Sequence, residues 1–317
     1  MEYRRLISFG KSSFVVSLPK AWVNKHKLSK GDLLYVEEAG PKLILSKEEK
    51  SQTPIEKEIV ILVDDKTKEW LAREVCSAYI MNHRSIILKG KQLKSKVKDI
   101  QDIIQNLMAL EIMEQQPDTI TAKDFLNMDK VSCEELIRKM DVVTRTMIKE
   151  TKDIFDEDNY ENINQRDKDV NRLYFLLYRA VLYNLENPTR AMKNFEHRSL
   201  DLMRFHSLGF YIEMIADEAR RISRFSRDMK VNKTQQNQIE KFLDDIEEYY
   251  ISTMKACYGK DMKIALKLSD HKVKMDKLVD LIEEDVMKIK NLSKVTNRMQ
   301  RMVSAIHNLG RVVYTLV

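Results

Sequence analysis

The fold class is decided by residues 132–155, which read SCEELIRKMDVVTRTMIKETKDIF. Ser132 and Glu135 have the spacing of a capping box, in which the two side chains satisfy backbone N–H groups at a helix start. The apolar positions that follow recur at alternating four- and three-residue steps, from Leu136 through Met140 to Val143. Because that spacing places one apolar stripe on one side of a helix, the stretch predicts a long amphipathic helix of a bundle.

Similar periodic stretches continue to the end of the chain and predict two three-helix units in tandem. We expect six helices, at about 132–155, 162–185, 188–229, 235–257, 261–290 and 292–316. The two trios repeat with a period near 100 residues, which indicates an internal duplication. The prediction is a helical domain over 130–317, with repeats at about 130–230 and 232–317.

Glycine and proline are scarce and unevenly placed. The 317 residues include 7 glycines and 5 prolines. Eight of these twelve fall in the first 117 residues: Gly10, Pro19, Gly31, Gly40, Pro41, Pro54, Gly90 and Pro117. Because both residue types mark turns, we expect strands and turns in the first third and long helices in the remainder, a mainly α chain with a small β and α/β N-terminal part.

Composition excludes several classes of protein. With 43% hydrophobic and 33% charged residues, the chain is neither disordered nor collagen-like. Cys76, Cys133 and Cys257 lie too far apart for a zinc clip and are odd in number, so no disulfide framework is indicated. The N-terminus lacks a signal-peptide core, and no uncharged run is long enough to span a bilayer. We expect a cytoplasmic protein without membrane insertion.

The net charge of the chain is concentrated at its N-terminus. Residues 1–30 contain seven Lys and Arg against one Glu, a surplus of six, and the whole chain carries +6. A basic patch on one small module is typical of a protein that binds a phosphate backbone or another anionic surface. A solvated surface is the alternative interpretation.

The N-terminal module, residues 1–50, is predicted to contain four strands and one short helix. The strand-like runs are 2–9, 13–18, 33–38 and 42–46, and Pro19 suits the first turn of a helix between the two pairs. About 46 residues cannot enclose a stable core without disulfides, metals or a partner chain. Since neither a disulfide nor a metal signal is present, we expect a homodimer.

The order of these elements resembles the AbrB/SpoVT DNA-binding domain. The resemblance rests on Gly10-Lys11, Phe14-Val15-Val16, Leu18-Pro19, Leu28 and Lys30-Gly31-Asp32-Leu33. It implies a barrel in which two chains interleave their hairpins and present basic side chains to double-stranded DNA. Carried over to this sequence, it implies DNA contacts from Arg4, Arg5, Lys11, Lys20, Lys25 and Lys27. Val23 and Asn24 stand where some members of the family have paired arginines.

Residues 55–128 are predicted to form a small α/β domain. The pattern indicates strands at 57–63 and 85–89, helices at 66–82 and 93–110, and a hairpin around Pro117. Two helices on one face of a small mixed sheet is the expected packing. No glycine-rich phosphate loop is present, and the sequence assigns this domain no role.

Corresponding helices of the two trios carry acidic residues at related positions. The second helices contain Asp167-Lys-Asp-Val-Asn and Lys272-Val-Lys-Met-Asp, and the third helix of the first trio contains Glu213-Met-Ile-Ala-Asp. The duplicated bundle resembles the PhoU family of phosphate-uptake regulators, whose helices carry Glu/Asp-x-x-x-Asp pairs that can hold metal ions. Joined to the N-terminal module, it matches a known archaeal arrangement. The resemblance implies Glu213, Asp217, Asp167 and Asp276 as candidate ligands for divalent or iron-type metal ions.

The residues themselves support a metal site only in part. Glu213 and Asp217 lie four apart, so both carboxylates face one side of a helix and can reach one cation. In the related pairs, Asp167 stands four residues from Asn171, and Asp276 four residues from Lys272. The alternative is that Glu213 and Asp217 form a solvated edge or pair with the neighbouring arginines, Arg220 and Arg221. Both interpretations remain open at this point.

Three functional hypotheses fit these features of the sequence. The first is a DNA-binding transcriptional regulator of phosphate uptake, and the second is an adaptor that docks on a phosphate transporter or signalling protein. The third, a carboxylate-bridged metal enzyme, is disfavoured because the predicted bundle helices contain no Glu-x-x-His pair. A barrel used only for dimerisation has no need of the basic charge in residues 1–30. We therefore predict a regulator and not an enzyme.

Overall fold

Two β-hairpins and one short helix make up the N-terminal unit. The computed structural model describes residues 3–11, 13–39, 42–46, 57–285 and 289–315, and it divides the chain into Met1–Ile55 and Glu56–Val317. The elements of the first unit are β1 (Ile7–Phe9), β2 (Ser13–Val15), α1 (Lys20–Lys25), β3 (Tyr35–Ala39) and β4 (Lys42–Ser46). The strands pair antiparallel as β1 with β2 and β3 with β4.

The predicted elements of this unit are present: β1 and β2 are shorter than predicted, β3 begins two residues later, and β4 has the predicted bounds. Residues 3–6, predicted to belong to the first strand, precede it. Gly10 has a φ of +70° in the turn of the first hairpin, a backbone conformation that favours glycine. The predicted turn at Gly40-Pro41 lies outside the described residues.

A four-stranded mixed sheet with two helices opens the second unit. Its elements are β5 (Glu58–Leu62), α2 (Lys68–Ile80), β6 (Ser85–Lys89), α3 (Leu93–Gln105), β7 (Leu110–Gln115) and β8 (Thr119–Asp124). The strand order is β5-β6-β8-β7, with β5 and β6 parallel and the other pairs antiparallel. On β5, Ile61 is buried in the same cluster as α2 and α3 residues, whereas Val60 and Leu62 are exposed. Because side chains alternate along a strand, the helices cover one face of the sheet, as predicted.

The described residues that follow are mostly helical. Its helices are α4 (Cys133–Lys152), α5 (Tyr160–Glu186), α6 (Pro188–Phe195), α7 (Ser199–Ser226), α8 (Lys233–Gly259), α9 (Met262–Ser269), α10 (His271–Asp285) and α11 (Leu292–Thr315). Helices α4, α5 and α7 pack together, and α11 packs on α8, α9 and α10. Because α7 also packs along α11, the two sets share one apolar core. Within the described residues, no helix combines the length and apolar character needed to cross a bilayer.

Two of the six predicted helices are each divided in two. The helix predicted over 188–229 stops at Phe195, because Glu196 adopts a left-handed conformation with a φ of 57°. It restarts as α7, where the Asp201 carboxylate accepts a hydrogen bond from the Arg198 backbone N–H at 2.9 Å. The helix predicted over 261–290 is interrupted at Asp270, between α9 and α10. Apolar periodicity continues across both breaks, which is why the sequence pattern did not reveal them.

Arg179 on α5 links the bundle to the sheet and is fully buried. Its Nη2 lies 2.6 Å from Oδ2 of Asp124, whose side chain is also fully buried at the end of β8. Its Nε donates to Oδ1 of Asn82 at 3.1 Å, and its guanidinium carbon lies 4.5 Å from the centre of the Tyr79 ring. The α/β segment and the helical part accordingly form one compact unit.

Gly209 allows α7 to lie directly against α5. A Cβ atom at this position would lie well inside van der Waals contact with Cδ2 of the buried Leu177. Gly310 on α11 has more room, because the nearest neighbour of an added Cβ, Cγ2 of Thr253, would be 3.6 Å away. Gly209 and Gly310 therefore differ in whether packing requires a glycine.

We expect Asp124→Ala to lower the free energy of unfolding by about 3–5 kcal/mol, because the buried Arg179 charge would lose its counterion. The double substitution Asp124→Leu with Arg179→Met should recover much of that loss, since no fully buried charge remains; Arg84, which also lies 3.6 Å from Asp124, is partly exposed. Chemical unfolding followed by circular dichroism measures both. Glu186→Ala is the control: it removes the exposed pair between Lys57 Nζ and Glu186 Oε2 at 2.9 Å and should cost less than about 1 kcal/mol. Equal losses in Asp124→Ala and the double variant would contradict this account.

The glycines provide a second, matched prediction. Gly310→Ala should raise the melting temperature, because alanine stabilises a helix interior by up to about 1 kcal/mol relative to glycine and no contact is violated. Gly209→Ala should lower it, because overpacking a core costs about 1–3 kcal/mol and outweighs that gain. Calorimetry of the two variants and the parent tests this, and a stabilised Gly209→Ala protein would show that α5 and α7 can separate at no cost.

Candidate functional site

The six basic residues predicted to contact DNA are all exposed on the N-terminal unit. Nη1 of Arg4 donates to Oγ of Ser17 at 3.4 Å, which places it at the open end of the first hairpin. Lys11 occupies the turn at the opposite end, after Gly10. The other basic candidates lie in or directly after α1: Lys20, Lys25 and Lys27. Basic side chains therefore mark both ends of the hairpin and the short helix.

Among the described side chains of this unit, none lies in an enclosed core. Every side chain that the structure describes between residues 3 and 46 is at least partly exposed. Large apolar side chains are among them, with exposed fractions of 69% for Phe9, 67% for Phe14 and 85% for Leu33. Apolar surface exposed on this scale in a small unit marks an interaction surface.

The packing of α5 against α7 brings three of the four predicted metal ligands together around Arg220. Nε of Arg220 lies 3.0 Å from Oδ2 of Asp167, and its Nη2 lies 2.5 Å from Oδ1 of Asp217. Nη2 of Arg221 lies 2.7 Å from the other carboxylate oxygen of Asp217. Glu213 lies one helical turn before Asp217 on α7 and forms no ion pair with any described residue. Two arginines therefore already neutralise Asp167 and Asp217.

The fourth predicted ligand lies apart from these three, on another helix. Asp276 lies on α10, where its Oδ2 is 2.5 Å from Nζ of Lys272. In the part of the chain that the structure describes, no group of three or more His, Cys, Asp or Glu side chains is arranged to hold a metal ion. A cation between Glu213 and Asp217 would have to compete with Arg220 and Arg221 for the oxygens of Asp217. The metal assignment stays a prediction.

The carboxyl group of Glu213 takes up a proton at a higher pH than an ordinary glutamate does. Burial, and next the negative charges of Asp217 and Asp167, raise its pKa to about 7. Burial also raises the pKa of Asp167, against the opposing effect of Arg220. Sequence spacing identified these carboxylates, but the burial of Glu213 depends on how α5 and α7 pack.

Two family models match the chain. Residues 7–53 match the model described as antidote-toxin recognition MazE, bacterial antitoxin, and residues 137–226 match the model of the PhoU domain. The chain joins a MazE/AbrB-type domain to a PhoU domain. No curated protein and no solved structure matches it.

The two matched ranges contain most of the predicted site residues. The MazE/AbrB-type match includes Lys11 and the three lysines around α1 but begins after Arg4 and Arg5. The PhoU match spans most of α4 and all of α5, α6 and α7, so it contains the cluster around Arg220. Asp276 and the second predicted repeat lie beyond it. In general terms, the combination is that of a DNA-binding regulator fused to a phosphate-homeostasis domain.

The Glu213 carboxyl predicts a pH dependence of stability. Between its ordinary pKa of 4.5 and the raised value of about 7, the unfolded chain releases this proton while the folded chain keeps it. The contribution of Glu213 to the free energy of unfolding is therefore fully present below pH 4.5 and is lost as the pH rises towards 7. We expect the free energy of unfolding of the parent, relative to Glu213→Gln, to fall by about 1–3 kcal/mol across that window. Urea unfolding at a series of pH values tests it, and parallel curves would contradict the raised pKa.

Proposed function

We propose that this protein is a DNA-binding transcriptional regulator of phosphate uptake and phosphate homeostasis. The observation that carries the proposal is the exposed basic surface of the MazE/AbrB-type domain, joined to a PhoU domain. The surplus of six positive charges in residues 1–30 equals the net charge of the whole chain. Such side chains bind the phosphates of a duplex by displacing its condensed counterions.

The proposal includes a homodimer formed through the N-terminal unit. Leu6, Ile7, Phe9 and Phe14 on and beside the first hairpin are each at least 60% exposed in the single chain. A second copy would bury these side chains and supply the core that so small a unit lacks. Two-fold symmetry would also double the basic surface, so that Arg4, Arg5 and Lys11 contribute six positive charges to one duplex.

The alternative is an adaptor, in which the PhoU domain docks on a phosphate transporter or signalling protein and the small domain serves only for dimerisation. Burial of apolar side chains is sufficient for dimerisation. The six exposed basic residues favour the DNA-binding reading, because an interface between identical copies gains nothing from them. Neither reading requires catalysis, and we propose that the protein is not an enzyme.

The DNA-binding proposal predicts a steep salt dependence. If Arg4, Arg5 and Lys11 of both chains pair with phosphates, the slope of log affinity against log salt should be about −0.9 per contact, or roughly −5 for six contacts. Replacing the three residues by alanine should flatten the slope by several units. Fluorescence anisotropy on a duplex from the promoter of a phosphate-transport gene measures this, and saturation should require two chains per duplex.

A matched control removes two arginines and one lysine elsewhere. Arg301→Ala, Arg311→Ala and Lys94→Ala, all at exposed positions of the second unit, should leave the slope unchanged. If the curves of the parent and the Arg4, Arg5 and Lys11 variant superimpose, these residues do not bind DNA and the adaptor becomes the better account.

A further inference from the structure

A groove of roughly 950 Å³ lies between α2 and α3 of the α/β segment and α5 of the PhoU domain. Its size falls in the range of pockets that hold small organic ligands. The proposed function makes no use of it, and all of its lining residues belong to the second unit. Each of the three helices contributes one wall.

The interior of the groove is apolar and aromatic. Phe175 of α5 packs against the core of the α/β segment and also lines the groove. Tyr178, one turn later, lines it as well and has its ring 4.5 Å from that of His206 on α7. Ile103 and Leu107 lie opposite, on and just after α3. These walls suit an apolar or aromatic body rather than a free inorganic ion.

The rim of the groove carries unpaired positive charge. Three basic side chains and one acidic side chain line it: Lys68, Arg73, Lys168 and Asp102. Nζ of Lys68 is 2.8 Å from Oδ2 of Asp102 and 3.2 Å from Oδ1 of Asp99, so Lys68 is neutralised. Among the described residues, Arg73 and Lys168 form no hydrogen bond or ion pair, and both are exposed. They project from different walls, α2 and α5.

We propose that this groove binds a phosphate monoester with an apolar body. The apolar part would pack on Phe175 and Tyr178, and the phosphate would lie between Arg73 and Lys168. Two unpaired cations complement the charge of a phosphate monoester, which is about −1.5 to −2 at pH 7. Since the site joins the α/β segment to α5, its ligand would bind the folded junction and stabilise it.

The test is isothermal titration of the full chain with three probes. Octyl phosphate, used below its micelle concentration, has both the body and the charge that the groove requires. Octanol has the body alone, and inorganic phosphate has the charge alone. We expect one site per chain and an affinity for octyl phosphate at least tenfold above that for either other probe. Equal affinity for octyl phosphate and octanol, or tighter binding of inorganic phosphate, would overturn the proposal.

Cys76 reports where the probe binds. It lines the groove and is partly exposed, whereas Cys133 and Cys257 are buried. Saturating octyl phosphate should slow alkylation of Cys76 by iodoacetamide at least threefold, as followed by mass spectrometry of its peptide. Burial raises the pKa of the Cys76 thiol to about 11, so the reaction is best run at mildly alkaline pH. An unchanged alkylation rate would place any binding elsewhere and overturn the assignment.

Variants separate the charge from the apolar walls. Arg73→Ala with Lys168→Ala should lower the affinity for octyl phosphate at least tenfold and leave the affinity for octanol unchanged. The control, Lys94→Ala with Arg311→Ala, removes the same charge outside the groove and should change neither affinity. Equal weakening by both double variants would show a non-specific charge effect and overturn the proposal. DNA binding is measured independently, so failure here leaves the proposed regulator standing.

Discussion

The buried ion pair between Arg179 and Asp124 is the contact on which the second unit depends. A guanidinium removed from water is tolerated only where carboxylate, amide and aromatic partners replace its hydration, and Asp124, Asn82 and Tyr79 do so here. Those three partners belong to the α/β segment, while the arginine belongs to α5. Moving the segment relative to the bundle would strand a charge in an apolar interior. The same constraint holds α5 opposite α2 and α3 and thereby shapes the groove between them.

Helix α5 also faces the opposite way, towards α7. There Gly209 of α7 has no side chain, so α7 can lie directly against Leu177 of α5. Close approach allows Arg220 to reach Asp167 as well as Asp217, and it partly buries Glu213 beside them. One helix therefore connects the α/β segment, the acidic cluster and the rest of the PhoU domain. A ligand that bound in the groove would touch the helix that all these features share.

Charge is handled differently in the two units. Several arginines of the PhoU domain are paired within it, as Arg145 is with Asp141 and Arg166 with Glu150. In the N-terminal unit, the carboxylate of Asp32 instead accepts from the Ser29 backbone N–H at 2.8 Å and shapes a turn. Between residues 3 and 30 the basic side chains of that unit are exposed, so their positive field extends into solvent. This distribution is the physical reason for proposing that the small unit binds DNA.

The sequence by itself determined the local features: the apolar stripe of α4, its N-terminal cap, the strands of the sheet and both domain types. In the cap, Oγ of Ser132 accepts a hydrogen bond from the Glu135 backbone N–H at 3.2 Å. The sequence also predicted which carboxylates lie near one another on α7. Only the tertiary structure decided the breaks before α7 and α10, the burial of Arg179 and the bridging of Asp167 by Arg220. Periodicity reports which side of a helix is apolar, because that depends on neighbours three and four residues away. Arg179 and Asp124 are 55 residues apart, and partners at that separation are chosen by how whole elements pack.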